Sequence, residues 1–143
     1  MAYWLFQANP KYYKIINAIR DFEEMFWPVT RYDNKIVLGD GVLIWVAGKT
    51  SGIYAIAEVI EAAHVVENTQ DKDYWLSSTV KKGVQAKIKF TQKLLDKPLL
   101  RSKLLEDSVL QRLSVIRGPN GTNFVVTPGE WQRVEELINQ NEQ

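Results

Sequence analysis

The 143-residue sequence predicts an α+β domain built on a curled, mostly antiparallel sheet. Three observations carry this expectation. Strand-like and helix-like stretches are mixed without the regular alternation of a doubly wound fold. Two apolar runs, Val42–Val46 and Ile53–Ile60, flank the turn Gly48-Lys49-Thr50-Ser51-Gly52 and read as a hairpin. Val84, Ala86, Ile88 and Phe90 alternate with Gln85, Lys87, Lys89 and Thr91, the period of a strand with one buried and one basic face.

Taken in order, Tyr3 to Gln7 reads as the first strand. Asn9 suits a helix N-cap and Pro10 the first helical position. Tyr12, Ile15, Ile16, Ile19, Phe22 and Phe26 then recur at three- and four-residue steps, which predicts an amphipathic helix ending before Phe26. Trp27-Pro28 breaks that pattern, because proline disfavours helical backbone in the residue before it. Trp27 to Asn34 reads as an irregular polar connection, and Leu38-Gly39-Asp40-Gly41 as a turn. Glu67 to Ser78 reads as a long loop, and Leu94 to Leu113 as a strand end followed by short helical turns around Pro98. Ser114 to Arg117 is expected as a short strand, with a loop from Arg117 to Thr122. Thr127-Pro128-Gly129-Glu130 is a capping box that opens a last helix, with Trp131, Val134, Leu137 and Ile138 facing inward. No repeat or low-complexity tract interrupts the chain, and one domain over residues 1–143 is expected.

Composition narrows the chemistry. Hydrophobic residues make up 45% and charged residues 24%, an ordinary globular balance. With no cysteine, disulfides, thiolate metal sites and cysteine nucleophiles are excluded, and the lone His64 cannot form a multi-histidine site. No stretch approaches the roughly 20 apolar residues that span a bilayer, and the first residues lack a basic leader, so a cytoplasmic protein without membrane partners is expected. The net charge of +1 argues against coating nucleic acid by bulk electrostatics. Charge is nevertheless uneven. From Lys81 to Lys103 the basic residues face a single acid, Asp96, whereas Glu58 to Asp73 is acidic apart from Lys72. These segments read either as two solvated faces or as one basic groove wall for phosphates, with Lys81, Lys82, Lys87 and Lys89 as its candidates.

Catalytic patterns are missing. Gly48-Lys49-Thr50 has no glycine five residues earlier and lies between two strands, so it is no phosphate loop. Nucleophile elbows and paired catalytic carboxylates are absent, and no metal or cofactor site is expected. The aromatic residues, 11% of the chain with five tryptophans, draw more interest. Trp4, Trp45 and Trp131 read as core. Trp27, beside Pro28 and a polar segment, reads as a core plug or a stacking platform. Trp75, next to Tyr74 in the acidic loop, reads as a loop anchor or a cover over a pocket.

Tyr3-Trp4-Leu5, Phe26-Trp27-Pro28-Val29, Gly39-Asp40, Ser51-Gly52-Ile53-Tyr54-Ala55-Ile56-Ala57 and Gly121-Thr122-Asn123-Phe124 occur together in this order and spacing. Together they resemble the EVE domain family of the PUA-like superfamily, in particular its small stand-alone bacterial and archaeal members. They are also similar to the thymocyte nuclear protein group and, more distantly, to YTH domains. The resemblance covers nearly the whole chain. It implies a PUA-like curled β-barrel with flanking helices and a cage of aromatic side chains for a modified base. Trp27 matches the first cage tryptophan. Ser51 and Gly52 match the turn beside the pocket, Gln7 and Asn9 polar positions at the end of the first strand, and Arg31 and Asn34 the bordering polar segment. The second wall is not matched: Trp75 lies several residues before the position where the YTH pattern places a tryptophan.

The expected function is a non-catalytic module that accepts a flipped or single-stranded, modified base of DNA or RNA, for example a methylated one. The alternative is a small-molecule or nucleotide-binding regulatory module on the same fold. The sequence names no partner nuclease or helicase.

Overall fold

A computed structural model describes residues 1–67, 69–76 and 83–141. Seven strands and four helices follow one another as β1 (Tyr3–Ala8), α1 (Ile15–Asp21), β2 (Glu24–Pro28), β3 (Gly41–Val46), β4 (Gly52–Val66), β5 (Gly83–Lys93), β6 (Leu99–Leu100), α2 (Arg101–Leu104), α3 (Ser114–Arg117), β7 (Asn123–Val126) and α4 (Pro128–Asn141). The sheet runs β2-β5-β4-β3-β1-β7, with β6 added to β4. Every pairing is antiparallel except β1 with β3. A parallel pair needs a long crossover, and here α1 and β2 lie within it.

The hairpin β3–β4 forms where the two apolar runs predict it, but β4 continues to Val66. Its pairing with β5 shifts register between Ile56 and Ala57, between Val59 and Glu61, and between Glu61 and His64. Such irregularities bend a strand and raise its twist, so β4 can serve β3 and β6 near its start and β5 along its length.

Alternation along β1 and β3 builds two apolar clusters on opposite faces of the same strands. Trp4, Phe6, Val42, Ile44 and Val46 join Ile15 and Ile19 of α1, Met25 and Trp27 of β2, and Ile88 of β5. Leu5, Leu43 and Trp45 join Leu104, Leu110, Leu113, Val134, Leu137 and Ile138. β3 is buried on both faces, hence its unbroken apolar sequence. The capping box closes as predicted: the Thr127 N–H donates to Glu130 Oε1 at 2.9 Å and the Glu130 N–H to Thr127 Oγ1 at 3.1 Å.

Three local expectations are corrected. The helix does not run on from Asn9. The Tyr12 and Tyr13 amides bond back to the Asn9 carbonyl for one turn, and then Tyr13 pairs with Trp75 in an isolated bridge while Lys14 N–H donates to the Tyr74 carbonyl at 2.8 Å. That pairing with a distant segment holds the chain out of helix until Ile15. Trp27 lies in a strand rather than a loop, because β2 pairs with β5 from Glu24↔Lys89 to Pro28↔Gln85. Pro28 is tolerated there because β2 is an edge strand and Pro28 is its last residue. Ser114 to Arg117 forms a helical turn, with Gly118 N–H bonding to the Ser114 carbonyl.

No helix among the described residues is long and apolar enough to cross a membrane.

Candidate functional site

The end of β1, the Asn9–Tyr13 turn, β2 with the residues that follow it, the start of β5 and two loops surround a cleft of about 960 Å³. This lies at the upper end of the size expected of a small-ligand site. Its walls are Gln7, Asn9, Tyr13, Met25, Trp27, Thr30, Asp71, Trp75, Gln85 and the 119–122 loop, among others.

Trp27 is only 2% exposed and its ring lies 6.1 Å from that of Phe6, so it belongs to the core and to the cleft wall at once. Its indole N–H is buried without a hydrogen-bond partner. Trp75 stands edge-on to Tyr13 at 4.5 Å, held by the backbone bridge between the two residues and by Leu76 N–H donating to the Tyr12 carbonyl at 2.9 Å.

Asp71 is buried in the same wall, although only the chain's irregular stretch after β4 carries it there. The Tyr13 hydroxyl donates to Asp71 Oδ2 at 2.6 Å, and the Thr69 hydroxyl donates to Asp71 Oδ1. Burial, reinforced by the neighbouring carboxylate, pushes the Tyr13 phenol well above its ordinary range, so it stays protonated at any physiological pH. Asp71 is the one formally charged side chain among the described residues of the wall.

Two amides hold the chain around the cleft. Gln7 Nε2 donates to the carbonyls of Pro119 and Gly121, at 2.9 and 2.7 Å, and ties the 119–122 loop to β1. Asn123 Oδ1 accepts from Thr30 N–H at 2.8 Å while its Nδ2 donates to the Pro28 carbonyl at 3.2 Å, fixing the path of the chain just beyond Trp27. Asn9 Oδ1 accepts from Lys11 N–H at 2.9 Å.

Of the residues singled out in the sequence, Gln7, Asn9, Trp27 and Trp75 line this cleft. Four others stand elsewhere. Arg31 lies over the Tyr32 ring at 5.2 Å, and that ring packs against Trp4, toward the start of β1. Asn34 is exposed in the segment that follows. Ser51 turns the β3–β4 hairpin, its carbonyl accepting from Arg101 N–H at 2.8 Å. Gly52 is required for close approach: a Cβ there would overlap the Leu99 carbonyl where β6 joins β4. Lys87 is engaged by Glu24 and Glu61 at 3.6 and 3.5 Å and lies over Phe26. Lys89 is exposed, in register with Glu24 on one side and Glu58 on the other. Lys81 and Lys82 lie outside the described residues. Tyr13, Asp71 and Asn123 carry more of the site than sequence reasoning assigned them. Tyr13 and Asp71 sit 58 positions apart, and their types alone do not announce a pair.

The class is that of a small β-rich fold with an open, partly aromatic cleft beside its curled sheet. The sequence matches the EVE domain over residues 2–137, and the chain belongs to that family. No curated protein matches it. Among solved structures it is similar to a hypothetical protein from Leishmania major, at 20% identity over 100% of this chain and 98% of that one, with a TM-score of 0.74. A Pseudomonas putida protein shares 21% identity over 95% and 99% of the two chains, with a TM-score of 0.69. The human THYN1 protein, solved in complex with DNA containing 5-methylcytosine, shares 13% identity over 96% and 97%, with a TM-score of 0.68. The architecture is thus the PUA-like one of curled sheet and flanking helices, although among the described residues the sheet does not close into the expected barrel: β2 and β7 remain its edges.

Proposed function

We propose that the cleft accepts one modified base, for example a methylated one, from a flipped or single-stranded nucleotide of DNA or RNA, and that the domain reads it without transforming it. The observation that carries this reading is Trp27: a buried indole in the cleft wall whose N–H has no partner. Buried donors are seldom left unmet, because each costs about 1–3 kcal/mol. A base edge is rich in acceptors and would supply the missing one. Trp27, Trp75 and Tyr13 give the cleft aromatic walls, and stacking on such faces contributes about 1–3 kcal/mol per base. The similarity in fold to the human THYN1 protein, whose complex holds DNA with 5-methylcytosine, supports the same class of ligand.

A free nucleotide is a poorer match. Its phosphates would enter a wall that, among the described residues, offers no cation and one carboxylate. A polynucleotide keeps its phosphates outside, where exposed Lys11, in sequence beside Tyr12 of the cleft, would meet them.

The test is a fluorescence titration with single-stranded oligonucleotides bearing 5-methylcytosine, 5-hydroxymethylcytosine, N6-methyladenine, no modification, or an abasic site. A modified base is expected to bind best and the abasic strand worst. Trp75→Ala is expected to lose about 1–3 kcal/mol of binding. Equal binding of the abasic strand, or tighter binding of the free nucleotide than of any strand, would refute the reading.

A further inference from the structure

Granted the base-accepting reading, we infer that the cleft selects bases whose edge carries an exocyclic amino group, and that Asp71 is the acceptor that makes the selection.

Asp71 is 6% exposed and lines the cleft, whose described wall holds no cation. A carboxylate has about four lone-pair sites. Tyr13 and Thr69 fill two of them with O–H donors. Tyr13 has then given its single proton, so what the Tyr13–Asp71 pair still offers a ligand is acceptor capacity alone. A buried negative charge is costly unless donors surround it, and the vacant lone pairs therefore favour a ligand that brings N–H groups.

The bases differ in how they meet that demand. Cytosine and adenine end their pairing edge in an amino group beside an unprotonated ring nitrogen. Thymine and uracil carry one N–H there, flanked on both sides by carbonyl oxygens whose lone pairs would oppose the carboxylate. The second demand of the cleft is met by either kind of base, so the carboxylate alone makes the selection. The Trp27 indole N–H is a donor without a partner, and a ring nitrogen or carbonyl of either kind satisfies it. One wall calls for a donor and another for an acceptor, and an amino-bearing edge supplies both.

Two matched pairs of probes isolate the amino group. 5-Methylcytosine and thymine share the ring methyl and differ where amino replaces keto; adenine and hypoxanthine differ likewise. Each is placed at the centre of the same single strand, with an abasic strand as reference. The wild-type domain is expected to prefer the amino member of each pair by at least about tenfold. Asp71→Asn, whose amide also donates, is expected to cut that preference to about threefold or less while the abasic strand binds as before. Tyr13→Phe, which frees a lone pair of Asp71 without removing the carboxylate, is expected to keep the preference. The wild-type comparison needs no variant, so it decides even if Asp71→Asn fails to fold. Equal affinity within both pairs, with the abasic strand still weakest, overturns the inference and leaves the base-accepting reading standing. Binding of the abasic strand as tight as the others overturns both.

Discussion

Two buried tryptophans in the same core meet opposite fates. Trp4, near the start of β1, donates its indole N–H to Asp40 Oδ2 at 2.9 Å. That carboxylate, itself buried, also accepts from Ala2 N–H at 3.1 Å and Val37 N–H at 3.0 Å. Trp27 packs near Phe6, toward the other end of β1, and its N–H meets nothing. The two are equally buried, at 4% and 2% exposure. The difference teaches that burial alone does not distinguish one tryptophan of this core from another. Satisfaction of its polar atom does. One end of the core is closed by a complete hydrogen-bond cluster, and the other is left incomplete around a cleft.

The comparison can be broken most forcefully at Asp40. Asp40→Ala strands the buried Trp4 indole N–H and two part-buried amides, and at about 1–3 kcal/mol for an unmet buried group the loss is expected to reach about 2 kcal/mol or more. Urea unfolding measures it. A loss below about 1 kcal/mol would mean that the Trp4 end is not held by this cluster. A finer cut comes from Trp4→Phe beside Trp27→Phe. Both remove the same atoms, so their cavity costs are similar and the difference isolates the hydrogen bond. Trp4→Phe is expected to cost about 1–3 kcal/mol more stability, whereas Trp27→Phe weakens base binding. Equal destabilisation with unchanged binding would erase the distinction between the two ends.

The smallest effect lies on the outer side of the cleft. Asp21 accepts from Arg20 and from the Tyr74 hydroxyl, the latter at 2.7 Å, and these bonds lower its pKa from 3.8 to about 2. A depressed carboxylate stabilises the fold above its ordinary pKa and loses that contribution as pH falls through the folded value. The gap in Tm between wild type and Asp21→Asn is therefore expected to be small and constant near neutrality, and to close between about pH 5 and pH 1. A gap undiminished at about pH 1 would place the effect elsewhere than in the charge of Asp21.

Periodicity made part of this legible. The β3–β4 hairpin, the alternation of β5 and the capping box at Thr127 follow from signals a few residues long, and the structure places them where the sequence does. The Asn9–Asp21 region was legible only in kind. Its apolar spacing is helical, but Tyr13 is claimed by Trp75 and Asp71 from more than fifty residues away, and that tertiary demand delays the helix. Strand β2 was hidden because Met25, Phe26 and Trp27 continue an apolar pattern that also fits a helix end; pairing with β5 decides the matter. At the site, Trp27 and Gln7 drew attention from the family's motif. Asp71 did not, because in sequence it is one acid in an acidic stretch.

The position of β1 has a kinetic consequence. Its partners are β3, some forty residues on, and β7, at residues 123–126, so it bonds to no strand that is its neighbour in sequence. The β3–β4 pair, by contrast, closes across a short turn and can form early. Loop-closure entropy must be met before the distant pairs contribute. Docking of β1 between β3 and β7 is therefore expected to be the slow event in folding. It is also the event that brings Trp4 to Asp40 and Gln7 to the 119–122 loop, so the sealed end and the rim of the cleft are completed in one step.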